Sequence, residues 1–265
     1  MENRNRPTFA IATLPLLPDI VANKGQHFQL AQKYRDLRLL ALQTSPEAFA
    51  SSYEVESQRS LDETVKRLSN SKAVHFVAVE DKHDNSKCID KQKDLQRLLN
   101  SEWIGMIVLL GPETEQSPAV SAQLDPFARM TAIATLDNHP ETVEGIRAEE
   151  QTLHYHLNSV FVTPTARKAG LGQLLIKAAF ARAETVAKTE EARWYCTVLV
   201  DSKNQAARSL YEKAGIVVVG EETYFQQPRA LVAGESHAEV KVALLMELHR
   251  AVSHAKDATA ESAAA

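Results

Sequence analysis

An α/β domain is predicted by three features of this 265-residue chain. Its balance of 44% hydrophobic and 24% charged residues is that of a globular protein long enough to bury a full core. Short apolar runs, stopped by proline or glycine, recur along it as strands do. Between them lie stretches whose apolar residues recur at helical spacing, and the two kinds of segment alternate along the chain with no internal repeat.

Phe9-Ala10-Ile11-Ala12-Thr13-Leu14 alternates and meets Pro15, which predicts a first strand. Leu30, Ala31, Tyr34, Leu37 and Ala41 share one side of a helix. It ends before Ser45-Pro46, because a residue preceding proline disfavours helical geometry. Ser60-Leu61-Asp62-Glu63 has the capping-box pattern and opens a second helix. Val74 to Val79 and Trp103 to Leu110 read as buried strands, the latter closed by Gly111-Pro112. Between them residues 81–101 are polar and charged and read as an inserted loop with one helical turn. Residues 111–151, punctuated by Pro112, Pro118, Pro126 and Pro140, read as a second insertion.

His154 to Val162 alternates as a strand and stops at Pro164. Gly170 to Lys188 predicts an amphipathic helix with Leu171, Leu174, Leu175, Ala178, Ala183 and Val186 on its apolar side. Trp194 to Val200 is a strand. Asn204 to Ala214 is a helix presenting Ala207, Leu210 and Tyr211, with Gly215 as its C-terminal cap. Val217 to Val219 and Val240 to Leu248 supply the last strands. The organisation expected is one domain over residues 1–250 with the two insertions, followed by a frayed Ala/Ser-rich tail over 251–265.

Composition narrows the function classes. A net charge of −4 offers no basic footprint for nucleic acid. The two cysteines, Cys88 and Cys196, belong to no metal or disulfide pattern and suit a reducing compartment. No stretch approaches the roughly 18 apolar residues of a membrane span. A soluble, cytoplasmic protein is expected, without nucleic-acid or membrane partners and with homodimerisation left open.

The segment Val162-Thr163-Pro164-Thr165-Ala166-Arg167-Lys168-Ala169-Gly170-Leu171-Gly172 runs from a strand through a glycine-containing turn into a helix. A helix start has unpaired N–H groups and the positive end of the dipole, so it suits an anion. Glycine allows close approach of the backbone, and Arg167 and Lys168 add charge. The alternative is a tight turn with a solvated basic pair. Neither the GxxxxGK[ST] nor the GxGxxG spacing is present.

Arg167-x-x-Gly170-x-Gly172 after a strand resembles the acetyl-CoA pyrophosphate loop of the GNAT N-acetyltransferases. Asn204-Gln205-Ala206-Ala207-Arg208-Ser209-Leu210-Tyr211-Glu212-Lys213-Ala214-Gly215 is similar to that family's next signature, at the same spacing. Ile216 replaces the aromatic that usually follows the glycine. The opening segment Asp36 to Leu42 with Pro46 to Tyr53 also looks like the family's first helical region, and the likeness spans about residues 8–250. It implies a mixed, mostly antiparallel central sheet with helices on both faces, whose fourth and fifth strands splay to admit the pantetheine arm. It implies transfer of an acetyl group from acetyl-CoA to a small-molecule or peptide amine by direct attack, with no metal. The alternative function is a non-catalytic acyl-CoA-binding module.

The resemblance assigns CoA contacts to Val160, Val162, Arg167, Lys168, Ala169, Gly170, Leu171, Gly172, Asn204, Ala207 and Tyr211. Tyr211 occupies the position that faces the sulfur and is the candidate acid, against a reading as a core tyrosine. Asn204 is either a pantetheine contact or a helix cap. His156, eleven residues before Arg167, is the candidate base, since imidazole titrates near about pH 6.5. Strand alternation puts it on one face with His154, Asn158, Val160 and Val162. A structural histidine and half of a His-x-His metal pair are the other readings of His156, and a water chain is the alternative base.

Overall fold

The computed structural model describes residues 8–16, 24–81, 91–114, 151–226 and 239–250. Its strands are β1 (Thr8–Thr13), β2 (Ala73–Asp81), β3 (Trp103–Thr114), β4 (Thr152–Val162), β5 (Arg193–Asp201), β6 (Val217–Gln226) and β7 (Glu239–Arg250). The helices are α1 (Lys24–Thr44), α2 (Tyr53–Ser57), α3 (Leu61–Leu68), α4 (Lys91–Asn100), α5 (Leu171–Thr189) and α6 (Gln205–Lys213). The strands form one mixed sheet in the order β1-β2-β3-β4-β5-β7-β6. Every pairing in it is antiparallel except β4 with β5.

Helices cover both faces, as the resemblance implied. On one face α5 buries Leu171, Leu175, Ile176, Ala179, Ala183 and Ala187. The alanine row lets the helix axis lie close to the sheet, and Tyr211 of α6 joins the same core. On the other face Leu30, Tyr34, Leu37 and Leu42 of α1 pack with Leu68 of α3, Leu98 of α4 and Val77, Val79 and Met106 of the sheet. This double cover explains why Trp103 to Leu110 is apolar at nearly every position, without the polar alternation of a half-exposed strand.

The capping box appears as read: Glu63 N–H donates to Ser60 Oγ, and the Ser60 N–H donates to the Glu63 carboxylate at 2.8 Å. The reading of residues 81–101 as a loop with one helical turn is corrected. Residues 91–100 form the ten-residue helix α4, with Leu98 and Leu99 buried. Its last carbonyls are satisfied from outside: Lys33 Nζ donates to Leu99 and Ser101 carbonyls, and Trp103 Nε1 to Leu98. The strand expected to close at Gly111-Pro112 continues through them to Thr114. Leu174, expected on the apolar side of its helix, is 42% exposed. The remainder of the second expected insertion, 115–150, and the expected tail, 251–265, lie outside the described residues.

Under α1 and α3 sits one costly group. His75 of β2 is fully buried, edge-on to the Tyr34 ring at 5.1 Å between centroids. Neither ring nitrogen makes a well-formed hydrogen bond among the described residues, although the Arg67 carbonyl lies close enough to act on the ring. Burial first, then the nearby Arg67 charge, push its pKa down to about 3, an effect that the Arg67 carbonyl offsets in part. The folded protein therefore holds this imidazole neutral, whereas the unfolded chain takes up a proton near about pH 6.5. The stability that follows is complete above that pH and is lost as pH falls toward 3. At pH 5 the loss amounts to about 2 kcal/mol for this one group. Urea unfolding at pH 7 and pH 5 should show it, and His75→Leu should remove that part of the slope; an equal slope in the variant would disprove the assignment.

Candidate active site

β4 and β5 are paired over Thr152–His156 and Arg193–Thr197, and no pairing continues beyond His156 with Thr197. Past that point β4 runs on to Val162 beside β3, and β5 runs on to Asp201 beside β7. The two strands thus part, and the β5-facing edge of Leu157–Val162 has no strand partner among the described residues.

β4 also changes face. Val108 pairs with Asn158 but Met106 with Phe161, so one extra residue is inserted in β4 between them. Ser159 takes φ 53°, the left-handed region, and its N–H is held by Asn158 Oδ1 at 2.6 Å. A bulge of this kind reverses the alternation. Leu153, Tyr155 and Leu157 lie in the core under α5, whereas Phe161 joins the core under α1. The sequence expectation that His154, His156 and Asn158 share a face with Val160 and Val162 is therefore corrected. Val160 and Val162 pack toward the α5 core instead.

The bulge is braced from α1. Arg38 Nη1 donates to Ser159 Oγ at 3.1 Å, Nη2 to Ser51 Oγ, and Nε to the Glu56 carboxylate. Arg67 and Arg59 also pair with Glu56. Burial alone would raise the Glu56 pKa, but Arg38 and Arg67 outweigh it and hold the carboxyl at about 2. Arg38 was not among the residues singled out from the sequence. A charged residue on a predicted helix reads as exposed, and only the tertiary fold brings it to Ser159, 121 positions away.

At the far end of β4 the chain makes a 3₁₀ turn over Pro164–Ala166 and enters α5 at Gly170. Lys168 and Gly170 both have positive φ, 65° and 82°. At Gly170 a Cβ would meet nothing within 4 Å, so what favours glycine there is the left-handed backbone itself. For Gly172 the reason is contact: a Cβ would lie 3.0 Å from Leu210 of α6. Arg167 is tied down, donating to the Val162 carbonyl and to Ser45 Oγ at 2.8 Å. Lys168 is exposed at the helix start.

Asn204 caps α6 through Oδ1, which accepts the Ala207 N–H at 3.0 Å, so the cap reading of this residue is the one seen. About two turns on, Tyr211 is buried, and burial pushes its hydroxyl well above the usual phenol range, with Cys196 adding a smaller effect in the same direction. The Cys196 thiol is likewise raised by burial.

A single cavity of about 1460 Å³ connects these parts. It is lined by His156, Val160, Val162, the loop Arg167–Gly172, Asn204, Ala207 and Tyr211, so all the residues singled out from the sequence border it. It also takes in Arg38, Ser51, Ser159, Leu174, Asp201 and Tyr224, which sequence reasoning missed. Asp201 accepts from the Tyr224 hydroxyl at 3.0 Å. No group of three metal-ligating side chains occurs among the described residues.

A family profile described as Acetyltransferase (GNAT) domain matches residues 130–215. No curated protein matches the sequence. Among solved structures, the chain is similar to Arabidopsis thaliana NAA60 in complex with a bisubstrate analogue, at 14% identity over 91% of this chain and 100% of that one, with a TM-score of 0.45. It is similar to an acetyltransferase of the GNAT family from Streptococcus pneumoniae at 16% identity, 91% and 99% coverage and a TM-score of 0.45. An N-acetyltransferase from Staphylococcus aureus gives 14% identity, 91% and 98% coverage and a TM-score of 0.42.

The bracing of the bulge makes a testable demand on Glu56. In Glu56→Gln the buried Arg38 and Arg67 lose their counter-charge. Breaking a buried pair from one side costs about 3–5 kcal/mol. Urea denaturation at pH 7 should register a loss of that order, and a loss no greater than that of a surface substitution would show that the cluster is not what holds this corner together.

Proposed function

We infer that this chain, whose residues 130–215 match a GNAT acetyltransferase domain profile, transfers an acetyl group from acetyl-CoA to an amine by direct attack. One observation carries the reading: the parting of β4 from β5 and the start of α5 open into the same cavity, with Tyr211 and His156 on its wall.

The parts suit the pieces of the donor. The first-turn amides of α5, with the Lys168 charge beside them, suit the diphosphate. Arg167 contributes by fixing the turn against Ser45 and Val162. The β5-facing edge of Leu157–Val162 can pair with an extended chain carrying amides, as an added strand would. The pantetheine arm is such a chain, and Val160 and Val162 border its path. Ala207 and Leu171 give it apolar walls.

For reaction, an alkylammonium must first lose a proton, because its nitrogen otherwise has no lone pair. His156 is the proton acceptor. The nitrogen then attacks the thioester carbonyl. The oxyanion forms beside the bulge, where Val160 stands outside the β3 register and its N–H is our candidate donor. Collapse breaks the carbon–sulfur bond and releases the CoA thiolate, and the nitrogen gives up its second proton to solvent as the amide forms. An ordinary thiol, with pKa about 8.5, is a stronger acid than the buried Tyr211 hydroxyl. Tyr211 therefore keeps its proton while donating a hydrogen bond to the departing sulfur, and passes it on only as burial raises the proton affinity of that sulfur too. The acceptor is an amine, small-molecule or peptide.

Acetyl-CoA binding by calorimetry and thiol release with a panel of amines test the reading. Tyr211→Phe should leave acetyl-CoA affinity within about twofold and slow single turnover by at least about tenfold. His156→Ala should remove the acidic limb of the kcat/KM profile when a weakly basic acceptor is used. Tight acetyl-CoA binding without thiol release for any amine would favour a binding module over an enzyme.

A further inference from the structure

Where β3, β4 and β5 meet, a line of buried and half-buried polar side chains runs from His156 to groups that acetyl transfer as described leaves unused. His156 Nδ1 lies 3.0 Å from Thr197 Oγ1. The same hydroxyl lies 2.9 Å from His154 Nε2 and 3.4 Å from the Tyr155 carbonyl. His154 Nδ1 in turn faces the Glu113 carboxylate at 3.8 Å. Among the described residues, titratable groups also packed on this line include Tyr195, stacked on His154 at 4.4 Å, and His249, stacked on Tyr195 and bonded to Glu247.

A hydroxyl has one proton to donate, so Thr197 cannot donate to both histidines. At least one ring must donate to it; the Tyr155 carbonyl, which can only accept, lies farther from the hydroxyl at 3.4 Å and is a weaker acceptor for its proton than His154 Nε2 at 2.9 Å. The Glu113 carboxylate decides which ring, because it favours a proton on His154 Nδ1 and so leaves His154 Nε2 as an acceptor. Thr197 then donates to His154, and its oxygen accepts from His156 Nδ1–H. A neutral imidazole protonated at Nδ1 has its lone pair at Nε2, the nitrogen turned away from Thr197.

We propose that Glu113, His154 and Thr197 are positioning residues that fix His156 in its Nδ1–H tautomer, making Nε2 the atom that takes the proton from the acceptor amine. This rests on the reading of His156 as base. The line also gives the proton a path. As the amine N–H bond breaks and an N–H bond forms at His156 Nε2, His156 Nδ1 gives its proton to Thr197 Oγ1, and Thr197 gives its own to His154 Nε2. The positive charge comes to rest on His154 beside the Glu113 carboxylate, and His156 is left neutral.

Long-range proton–nitrogen NMR on protein labelled with ¹⁵N-histidine, recorded above about pH 8 where imidazoles are neutral, reads the tautomer without reference to activity; His156→Asn assigns the signals. Wild type should show His156 protonated at Nδ1, and Thr197→Val and Glu113→Gln should each populate the Nε2–H form. Thr197→Val should lower kcat by at least about tenfold with acetyl-CoA KM nearly unchanged, and Thr197→Ser should restore it. An Nε2–H tautomer in wild type, or a tautomer that neither variant moves, overturns the proposal. So does full turnover in Thr197→Val while His156→Ala is inactive, a result that leaves the base reading intact. If instead the tautomer responds as expected but His156→Ala keeps its acidic limb, the positioning of the ring stands and the base reading fails.

Discussion

The site exists because two parallel strands stop pairing. Parallel neighbours cannot be joined by a tight turn, so β4 must be followed by a crossover before β5, and α5 is that crossover. A crossover helix starts at the end where its preceding strand finishes. The start of α5 therefore lies at the same end of the sheet as the parting of the strands, as is general for ligand sites in open sheets with parallel strands. Antiparallel pairing holds on either side, β3 against β4 and β7 against β5, and keeps each strand of the gap supported on its outer edge. The opening is thus a rigid one, made by removing a pairing rather than by loosening the sheet.

Which side chains meet in that opening, and which stand behind His156, is set by two single-residue insertions. In β4 the extra residue at Ser159 turns Val160 and Val162 toward α5 and leaves His156 on the opposite face. In β3 the register shifts between Leu110 and Glu113, so that Glu113 stands opposite His154. Without that shift it would turn to the other face. The left-handed backbone at Ser159 is unfavourable for a residue with a side chain, and it persists because its surroundings oblige it to. Asn158 holds its amide and Arg38 holds its hydroxyl, while Arg38 is itself fixed by a carboxylate too buried to let go.

Much of this was legible in the order of residues. The strand-turn-helix around Gly170, the Ser60–Glu63 cap and the Asn204–Gly215 helix all declare themselves through local chemistry, and the structure shows them where they were expected. What escaped was of two kinds. Helix α4 carries Leu95, Leu98 and Leu99 at helical spacing, but its charged composition hides a signal that only three apolar residues provide. Register was the harder loss. No glycine marks Ser159, so simple alternation carries a reader across the bulge and puts two valines on the wrong face. Arg38, Glu56 and Thr197 gain their meaning from partners far away in the chain, and nothing local announces a buried ion pair or a hydroxyl between two imidazoles.

The sheet order carries one more implication, for how the chain is made. β7, the last strand described, lies inside the sheet between β5 and β6. A ribosome delivers β6 before the strand that joins it to the rest. Until residues 239–250 emerge, the outer edge of β5 is an open row of amides and carbonyls, and β6 has no neighbour to pair with. A nascent chain at that stage presents a strand edge to whatever it meets, which is the situation in which mispairing between copies occurs. The second wall of the cleft gains its outer support only when synthesis reaches residues 239–250.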